Sequence, residues 1–361
     1  MKRIKVLLFS KYSRRGPSSR LRSLQYIPLL KEQGIDVHVR ELFPDAYLES
    51  LYGGHAKAAR YRGLWYSGKR MFQMLRDEDF DLAWIEGELF PYLPIWIESA
   101  LLQSRRPYVV DYDDALFHRY DLSSSKLVRR LLGRKIDDVM RGAFCVMVGN
   151  GYLADRASSA GARRIEIIPT VVDDDRYDVA KRDGDGRPVI GWIGSPSTEE
   201  YVLDYCELLE KVCVDNRARL LLVGAREDAA ERFDHLKPEV MAWSEDTEAD
   251  AIGQMDIGIM PLRDSPWERG KCGYKIVQYM ACGLPVVASS VGANIDIVHH
   301  GENGFLASND HEWQECLQRL IDNPPLRQRM GNVGRRCVED HYSIRQQAPR
   351  LAALLRSAGG S

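Results

Sequence analysis

Arg269-Gly270-Lys271-Cys272-Gly273-Tyr274-Lys275-Ile276-Val277-Gln278-Tyr279-Met280-Ala281-Cys282-Gly283-Leu284-Pro285-Val286-Val287-Ala288 decides how this chain is read. The run predicts a glycine-bearing loop, a short helix over Gly273–Cys282, a glycine stop and a buried strand over Pro285–Ala288. The first turn of a helix leaves backbone N–H groups unsatisfied, and the helix dipole adds partial positive charge there. Lys271 and Lys275 stand four residues apart and, on a helix, project from one face. Unsatisfied N–H groups, loop glycines and two ammonium groups together describe a phosphate site.

Outward from this run, strand-like and helix-like segments alternate. Ile4–Phe9, Val37–Arg40, Leu82–Ile85, Tyr108–Tyr112, Phe144–Val148 and Glu166–Ile168 read as strands. An apolar-periodic helix is expected from Ser19 to Gln33, and a basic-aromatic helical stretch over Ala56–Leu75, including Tyr61-Arg62-Gly63-Leu64-Trp65-Tyr66 and Lys69-Arg70. After a polar pause the pattern restarts, with strands Val189–Ile193, Arg219–Val223, Val240–Ala242 and Ile257–Met260 and a helix Glu199–Asn216. Asp310–Asp322 and Leu326–Asp340 are closing helices, and Tyr342-Ser343 caps a last one. Such alternation specifies an α/β protein with parallel sheets. Residues 1–172 are expected to form one Rossmann-like domain, 173–188 a linker, and 189–342 a second. The two would face each other across a cleft, and the helix 343–357 would return to the first. Ligands in such folds lie beyond the carboxyl ends of the strands.

Size and composition agree with this plan. The 361 residues suffice for two domains with separate cores, and 45% hydrophobic with 28% charged residues is the balance of a globular protein. The net charge of −2 hides an asymmetry of about +8 over residues 1–170 and about −10 over the rest. A basic half suits phosphate-rich ligands or an anionic membrane; no recognition motif accompanies the charge, so nucleic acid is not expected. The seven cysteines form no Cys-x-x-Cys pair and no His cluster has zinc spacing, which fits a reducing compartment. The apolar run at the start is broken by Lys5 and ends at Phe9, too short for a signal peptide. No stretch approaches the ~18 apolar residues of a membrane span. A cytoplasmic protein is expected.

The opening run resembles the donor-binding segment of retaining GT-B glycosyltransferases, usually Glu-x-x-Gly-x-x-x-x-Glu-Ala-Met-Ala-x-Gly-x-Pro-Val-Val-Ala. The chain is similar to glycosyltransferase family four, and a subset of polysaccharide-building glycosyltransferases with Gly-Lys-x-Gly-x-Lys and Gln-Tyr-Met-Ala looks similar to it. In register with that segment, Gly273 is the loop glycine, Gln278 replaces the second glutamate and Gly270 the first. The resemblance implies that residue 278 holds the nucleotide ribose, and a Gln can still bond hydroxyls. The sugar contact made by the first glutamate passes to Glu268, or to the backbone N–H groups of Cys272, Gly273 and Tyr274. The family also places an Arg and a Lys after the first strand of the second domain. Here that place reads Gly191-Trp192-Ile193-Gly194-Ser195-Pro196-Ser197-Thr198-Glu199. Gly194 and Ser195 then offer backbone approach and a hydroxyl, while Lys271, Lys275 and Arg263 supply the charge. Asn294 borders the nucleotide or caps its helix. Domain closure would press Lys271 and Lys275 on the diphosphate and exclude water.

In the first half, Ser10-Lys11-Tyr12-Ser13-Arg14-Arg15-Gly16-Pro17-Ser18-Ser19-Arg20 follows the first strand. The resemblance turns this loop toward donor phosphate and acceptor, with Gly16 permitting an unusual turn and Arg14, Arg15 and Arg20 able to grip phosphate. Asp111-Tyr112-Asp113-Asp114 looks like the metal-holding Asp-x-Asp of GT-A enzymes, but a GT-B enzyme needs no metal. Asp113, Asp114 and His118 are read as acceptor-orienting groups, Asp114 alternatively as a helix cap. Glu86 and Glu88 would reach the same rim. Lys126–Arg141 is amphipathic, with Leu127, Val128, Leu131, Leu132, Ile136, Val139 and Met140 on one face and Lys126, Arg129, Arg130, Arg134 and Lys135 on the other. Such a face docks on an anionic membrane or packs into the core. The expected activity is metal-independent, retaining transfer of a sugar from a nucleotide-diphosphate sugar to a polysaccharide or lipid-linked glycan, with no other cofactor. An epimerase on the same fold and a non-catalytic glycosyltransferase partner are the alternatives.

Overall fold

The computed structural model describes residues 3–47, 65–74, 79–102, 106–179 and 186–360. Half of the expected 56–75 helix and the middle of the expected linker, 180–185, lie outside the described residues; 65–74 are helical. The chain divides into two units. Unit 1 comprises Met1–Thr170, Gly270–Cys272 and Gln347–Ser361, and unit 2 comprises Val171–Arg269 and Gly273–Gln346.

Unit 1 is built on six parallel strands, β1 (Ile4–Phe9), β2 (Ile35–Val39), β3 (Leu82–Glu86), β4 (Tyr108–Tyr112), β5 (Cys145–Val148) and β6 (Ile165–Ile167), in the order β2-β1-β3-β4-β5-β6. Strands β3, β4 and β5 are buried along their whole length, as parallel strands covered on both faces must be. That double coverage explains their mainly apolar sequences, in which Glu86 and Asp111 are the only charged residues. The order reverses between β1 and β3, so the loops after these two strands diverge and leave room at their carboxyl ends.

Unit 2 repeats the plan with β7 (Val189–Ile193), β8 (Arg219–Val223), β9 (Glu239–Met241), β10 (Ile257–Met260), β11 (Val286–Ser289) and β12 (Gly304–Ala307). Their order, β12-β11-β10-β7-β8-β9, is the Rossmann order of two half-sheets meeting at β7 and β10. Two apolar clusters, one around Tyr279 and Met280 and one around Trp192 and Trp313, contain the buried side chains of the two sheet faces. The segment after β7 and the segment after β10 therefore flank the crevice where such a sheet takes ligands.

Several helices differ from expectation. The predicted Ser19–Gln33 helix is three pieces, Pro17–Arg22, a 3-10 turn Leu24–Tyr26, and Ile27–Glu32. Ser23 breaks it, with φ −133° and a hydroxyl that donates to the Ser19 carbonyl at 2.9 Å. Glu199–Asn216 is likewise split into Glu200–Leu203 and Cys206–Asn216. Lys126–Arg141 is two helices, Lys126–Leu132 and Lys135–Gly142, rather than one continuous face. Leu132, Ile136, Val139 and Met140 are buried, whereas Leu127 and Leu131 are exposed. Lys135, expected in water, is instead fully buried. Among the described residues no helix is long and apolar enough to cross a membrane.

Candidate functional site

In unit 2 the helix Tyr274–Ala281 starts at Gly273, whose φ of +64° suits only glycine without strain. A Cβ there would also meet Ile297 Cδ1 at 2.4 Å. Lys275 lies in the first turn, but Lys271 precedes the helix, so the expectation that both project from one helical face fails. Gly273 turns the chain between them, and Lys271 falls in unit 1 while Lys275 stays in unit 2.

Lys275 Nζ lies 3.4 Å from Thr198 Oγ1 and 4.6 Å from the centre of the Trp192 ring. Trp192 belongs to β7, and Thr198 closes the turn that follows it. The ammonium thus stands beside the end of β7, where the segment that follows carries no cation of its own. Thr198 and Trp192 were not singled out from the sequence. Gly194 allows close packing there, since a Cβ would fall 2.3 Å from the Trp192 ring. Ser195 N–H donates to Thr198 Oγ1 at 3.2 Å, and the Ser195 and Ser197 hydroxyls are 2.9 Å apart.

The other expected donor residues are held differently. Gln278 is buried and donates from Nε2 to the Tyr177 hydroxyl at 3.1 Å. Tyr177 in turn donates to Glu248 at 2.8 Å and lies 3.4 Å from the Tyr274 hydroxyl. Burial drives the Tyr177 phenol well above its ordinary pKa, with Tyr274 and Glu248 adding to it, so it keeps its proton. Glu268 is buried and accepts from Tyr201 at 2.6 Å and from Ser265. Arg263 is exposed and forms a two-pronged pair with Asp204 at 2.5 and 2.7 Å. Asn294 does not cap its helix. The cap position of Ala293–Ile297 is Gly292, and Asn294 Nδ2 donates to the Ser289 carbonyl at 2.9 Å.

Unit 1 gathers most of the remaining residues at the carboxyl ends of β1, β3 and β4. Glu86 Oε2 accepts from the Lys11 N–H at 2.6 Å and the Ser19 hydroxyl at 2.5 Å, fastening the loop after β1 to the end of β3. Burial raises Glu86 to about 7. Gly16 is in ordinary extended backbone, φ −76°, rather than an unusual turn. What requires glycine is space, because a Cβ would lie 2.3 Å from Tyr12 Cβ. Arg14 is exposed, whereas Arg20 is buried. Arg22, which the sequence did not reveal, grips a buried carboxylate bidentately. Its Nε and Nη2 meet Asp111 at 3.0 and 2.6 Å, and Nη1 donates to the Ile168 carbonyl at 2.7 Å.

Glu88 is not at an open rim. It accepts from Tyr120 and pairs with Lys135 at 2.6 Å, and Lys135 also pairs with Glu98 at 2.7 Å; all three ionic side chains are at most 3% exposed. His118 is pinned on both ring nitrogens, by Asp121 and by Tyr152, each at 2.8 Å. Asp114 caps no helix, since Phe117 occupies the cap position of His118–Asp121. Burial raises its carboxyl to about 6 against the pull of Lys271, whose Nζ is 3.9 Å away. Burial, reinforced by Arg119, lowers the nearby Lys11 to about 8. Among the described residues no group of three or more His, Cys, Asp or Glu is placed to hold a metal ion.

The segment Gly270–Cys272 belongs to unit 1. Asn150 Nδ2 donates to the carbonyls of Gly270 and Lys271, both at 3.0 Å, and Cys272 Sγ donates to the Asp113 carbonyl at 3.0 Å. A side chain at Gly270 would lie 2.5 Å from Ala115 Cβ, which excludes a glutamate at that position. Asn150 also caps the helix Gly151–Ala160. Gly149-Asn150-Gly151 directly after β5 was its available sequence signal.

Residues 187–323 match the family described as glycosyl transferases group 1. A D-inositol 3-phosphate glycosyltransferase of Pseudarthrobacter chlorophenolicus is 30% identical over 98 residues, 27% of this chain and 20% of that protein. The chain is thus aligned to about a fifth of the length of that relative. Anabaena HepE, solved in complex with UDP-glucose, superposes with a TM-score of 0.69 at 17% identity over 98% of this chain and 100% of the other. A glycosyltransferase of Rickettsia africae gives 0.71 at 13% identity over 99% of each chain. Over residues 187–323 the chain therefore matches the glycosyl transferases group 1 family, within a two-domain, Rossmann-like α/β fold of the GT-B kind.

Proposed function

We propose that the chain is a retaining glycosyltransferase that moves a sugar from a nucleoside-diphosphate sugar to a glycan or lipid-linked acceptor. The observation that carries this reading is the Lys275 ammonium beside Thr198 and Trp192, at the N-terminal turn of Tyr274–Ala281 and the carboxyl end of β7. A cation and unsatisfied N–H groups at that place favour the charge that grows on a departing diphosphate. The bond from the sugar anomeric carbon to the diphosphate oxygen breaks, and the acceptor oxygen bonds that carbon on the same face. The acceptor proton passes to the departing phosphate oxygen, so the reaction needs neither a metal nor a separate protein base.

Lys271 is retained in this reading as a second ammonium toward the diphosphate, with Asp113 and Asp114 orienting the acceptor. Arg14, on the exposed loop after β1, is assigned to acceptor phosphate. The exposed Leu127 and Leu131, flanked by exposed Lys126, Arg129 and Arg130, support docking on an anionic membrane at its cytoplasmic face. The HepE complex with UDP-glucose and the glycosyltransferase relatives support a nucleotide-sugar donor.

The test is a thermal-shift panel of nucleoside diphosphates and their sugars, followed by incubation of the binding sugar nucleotide with membrane lipid extract. Acceptor-dependent release of nucleoside diphosphate, with the anomeric configuration retained by NMR, is expected. Epimerisation without acceptor, or nucleotide binding with no turnover on any acceptor, would replace the transferase reading by one of the two alternatives.

A further inference from the structure

Gln278 makes one side-chain hydrogen bond among the described residues, and its direction is settled by its neighbours. Glu248 is 2% exposed and carries no proton donor when ionised. One of its oxygens accepts from Trp243 Nε1 at 3.0 Å and the other from the Tyr177 hydroxyl at 2.8 Å. Tyr177 has a single proton and commits it to Glu248. Its oxygen must then accept from Gln278, which turns the amide so that Nε2 faces Tyr177 at 3.1 Å. Gln278 Oε1 is left on the other side. It accepts no hydrogen bond from the described residues, and it is not one of the buried polar atoms sealed away without a partner, so it stays within reach of solvent.

We infer that Tyr177 and Glu248 are positioning residues that lock the Gln278 amide with its carbonyl oxygen presented to a ribose hydroxyl of the nucleotide. This rests on the proposed function, which puts the nucleotide beside the helix Tyr274–Ala281. The same chain of bonds explains why residue 278 is Gln. A glutamate there would set an ionised oxygen against the lone pairs of Tyr177, whose proton is already spent on Glu248. It would also bring a second carboxylate close to a buried one. Exchanging both residue types reverses the two bonds of Tyr177 and keeps that of Trp243, without breaking any. In a Gln278→Glu, Glu248→Gln protein, the amide at 248 donates to Tyr177 and accepts from Trp243, and Tyr177 donates to the carboxylate at 278.

The experiment is calorimetric titration of the full chain with ADP, GDP and UDP and their 2′-deoxy and 3′-deoxy counterparts. The nucleotide that binds is then titrated into Tyr177→Phe, Gln278→Glu and the Gln278→Glu, Glu248→Gln double variant. Thermal unfolding of each variant is recorded in parallel. Removing one ribose hydroxyl is expected to weaken wild-type binding about threefold to tenfold, the worth of one hydrogen bond. Tyr177→Phe should bring that ratio close to one while leaving a folded protein. Gln278→Glu alone should bind more weakly than the double variant, which should recover the ribose preference. A ratio unchanged in Tyr177→Phe, or a double variant worse than Gln278→Glu, overturns the inference and leaves the nucleotide site standing. No binding of any ribonucleotide by the wild-type chain overturns the proposed function and this inference together.

Discussion

Replacing Glu86 by Gln gives a stability effect whose sign and size follow from the structure. Glu86 is 7% exposed, and burial lifts its carboxyl from 4.5 to about 7. The folded state therefore binds a proton that the unfolded chain has released across that interval. The stabilisation from the neutral form is complete below about 4.5 and is lost as the pH rises through about 7. Between pH 5 and pH 8 the loss integrates to about 2.5 kcal/mol, since each tenfold difference in proton affinity between the two states is worth about 1.36 kcal/mol. Gln cannot titrate, yet it keeps the contacts. Its carbonyl can accept from the Lys11 N–H and the Ser19 hydroxyl, and its amide can donate to Ser23 Oγ, whose own proton goes to the Ser19 carbonyl. Urea unfolding of both proteins by circular dichroism at pH 5, 6, 7 and 8 measures the difference, and every other titrating group cancels in it. The advantage of Glu86→Gln over wild type should grow by about 2.5 kcal/mol across the series. A difference constant to within about 0.5 kcal/mol, well below that linkage, would refute the buried, raised carboxyl.

Lys275→Met removes a charge-assisted contact of about 1.5–3 kcal/mol, so nucleoside-diphosphate binding should weaken roughly tenfold to a hundredfold in calorimetry. The unphosphorylated nucleoside should lose much less, and an equal loss for both would remove Lys275 from the phosphate. Lys135→Met leaves Glu88 and Glu98 buried without their shared cation, and urea unfolding should show a loss of about 3–5 kcal/mol. A loss below about 1 kcal/mol would mean that water already reaches the cluster. Leu127→Ser with Leu131→Ser should abolish sedimentation with vesicles rich in anionic lipid while leaving the melting temperature unchanged. Undiminished sedimentation would take that helix out of membrane docking.

The architecture was legible wherever a strand is buried on both faces. Tyr108–Tyr112, Val189–Ile193, Arg219–Val223 and Ile257–Met260 are mainly apolar runs closed by Asp113, Gly194, Gly224 and Pro261, and the observed strands match them end to end. Strand β12 was not assigned, because four residues opening on Gly304 carry too little pattern. Periodicity could not show the breaks at Ser23 and around Asp204–Tyr205, since apolar spacing continues through both. The loop–helix–strand run from Gly270 to Ala288 was readable from glycine placement and apolar spacing. What escaped were pairings over long sequence separation. Arg22 meets Asp111 89 residues away, Lys135 meets Glu88 47 residues away, and Tyr177 meets Gln278 101 residues away. Helical spacing alone put Lys135 in water and Lys271 beside Lys275. A buried carboxylate overrode the first assignment, and the left-handed turn at Gly273 overrode the second.

A crystal structure of the full chain with bound nucleoside diphosphate tests the central claim most directly. The account predicts the diphosphate oxygens within hydrogen-bonding distance of Lys275 Nζ and of the first backbone N–H groups of the helix Tyr274–Ala281. A diphosphate bound elsewhere, with Lys275 still seated on Thr198 and Trp192, would contradict it.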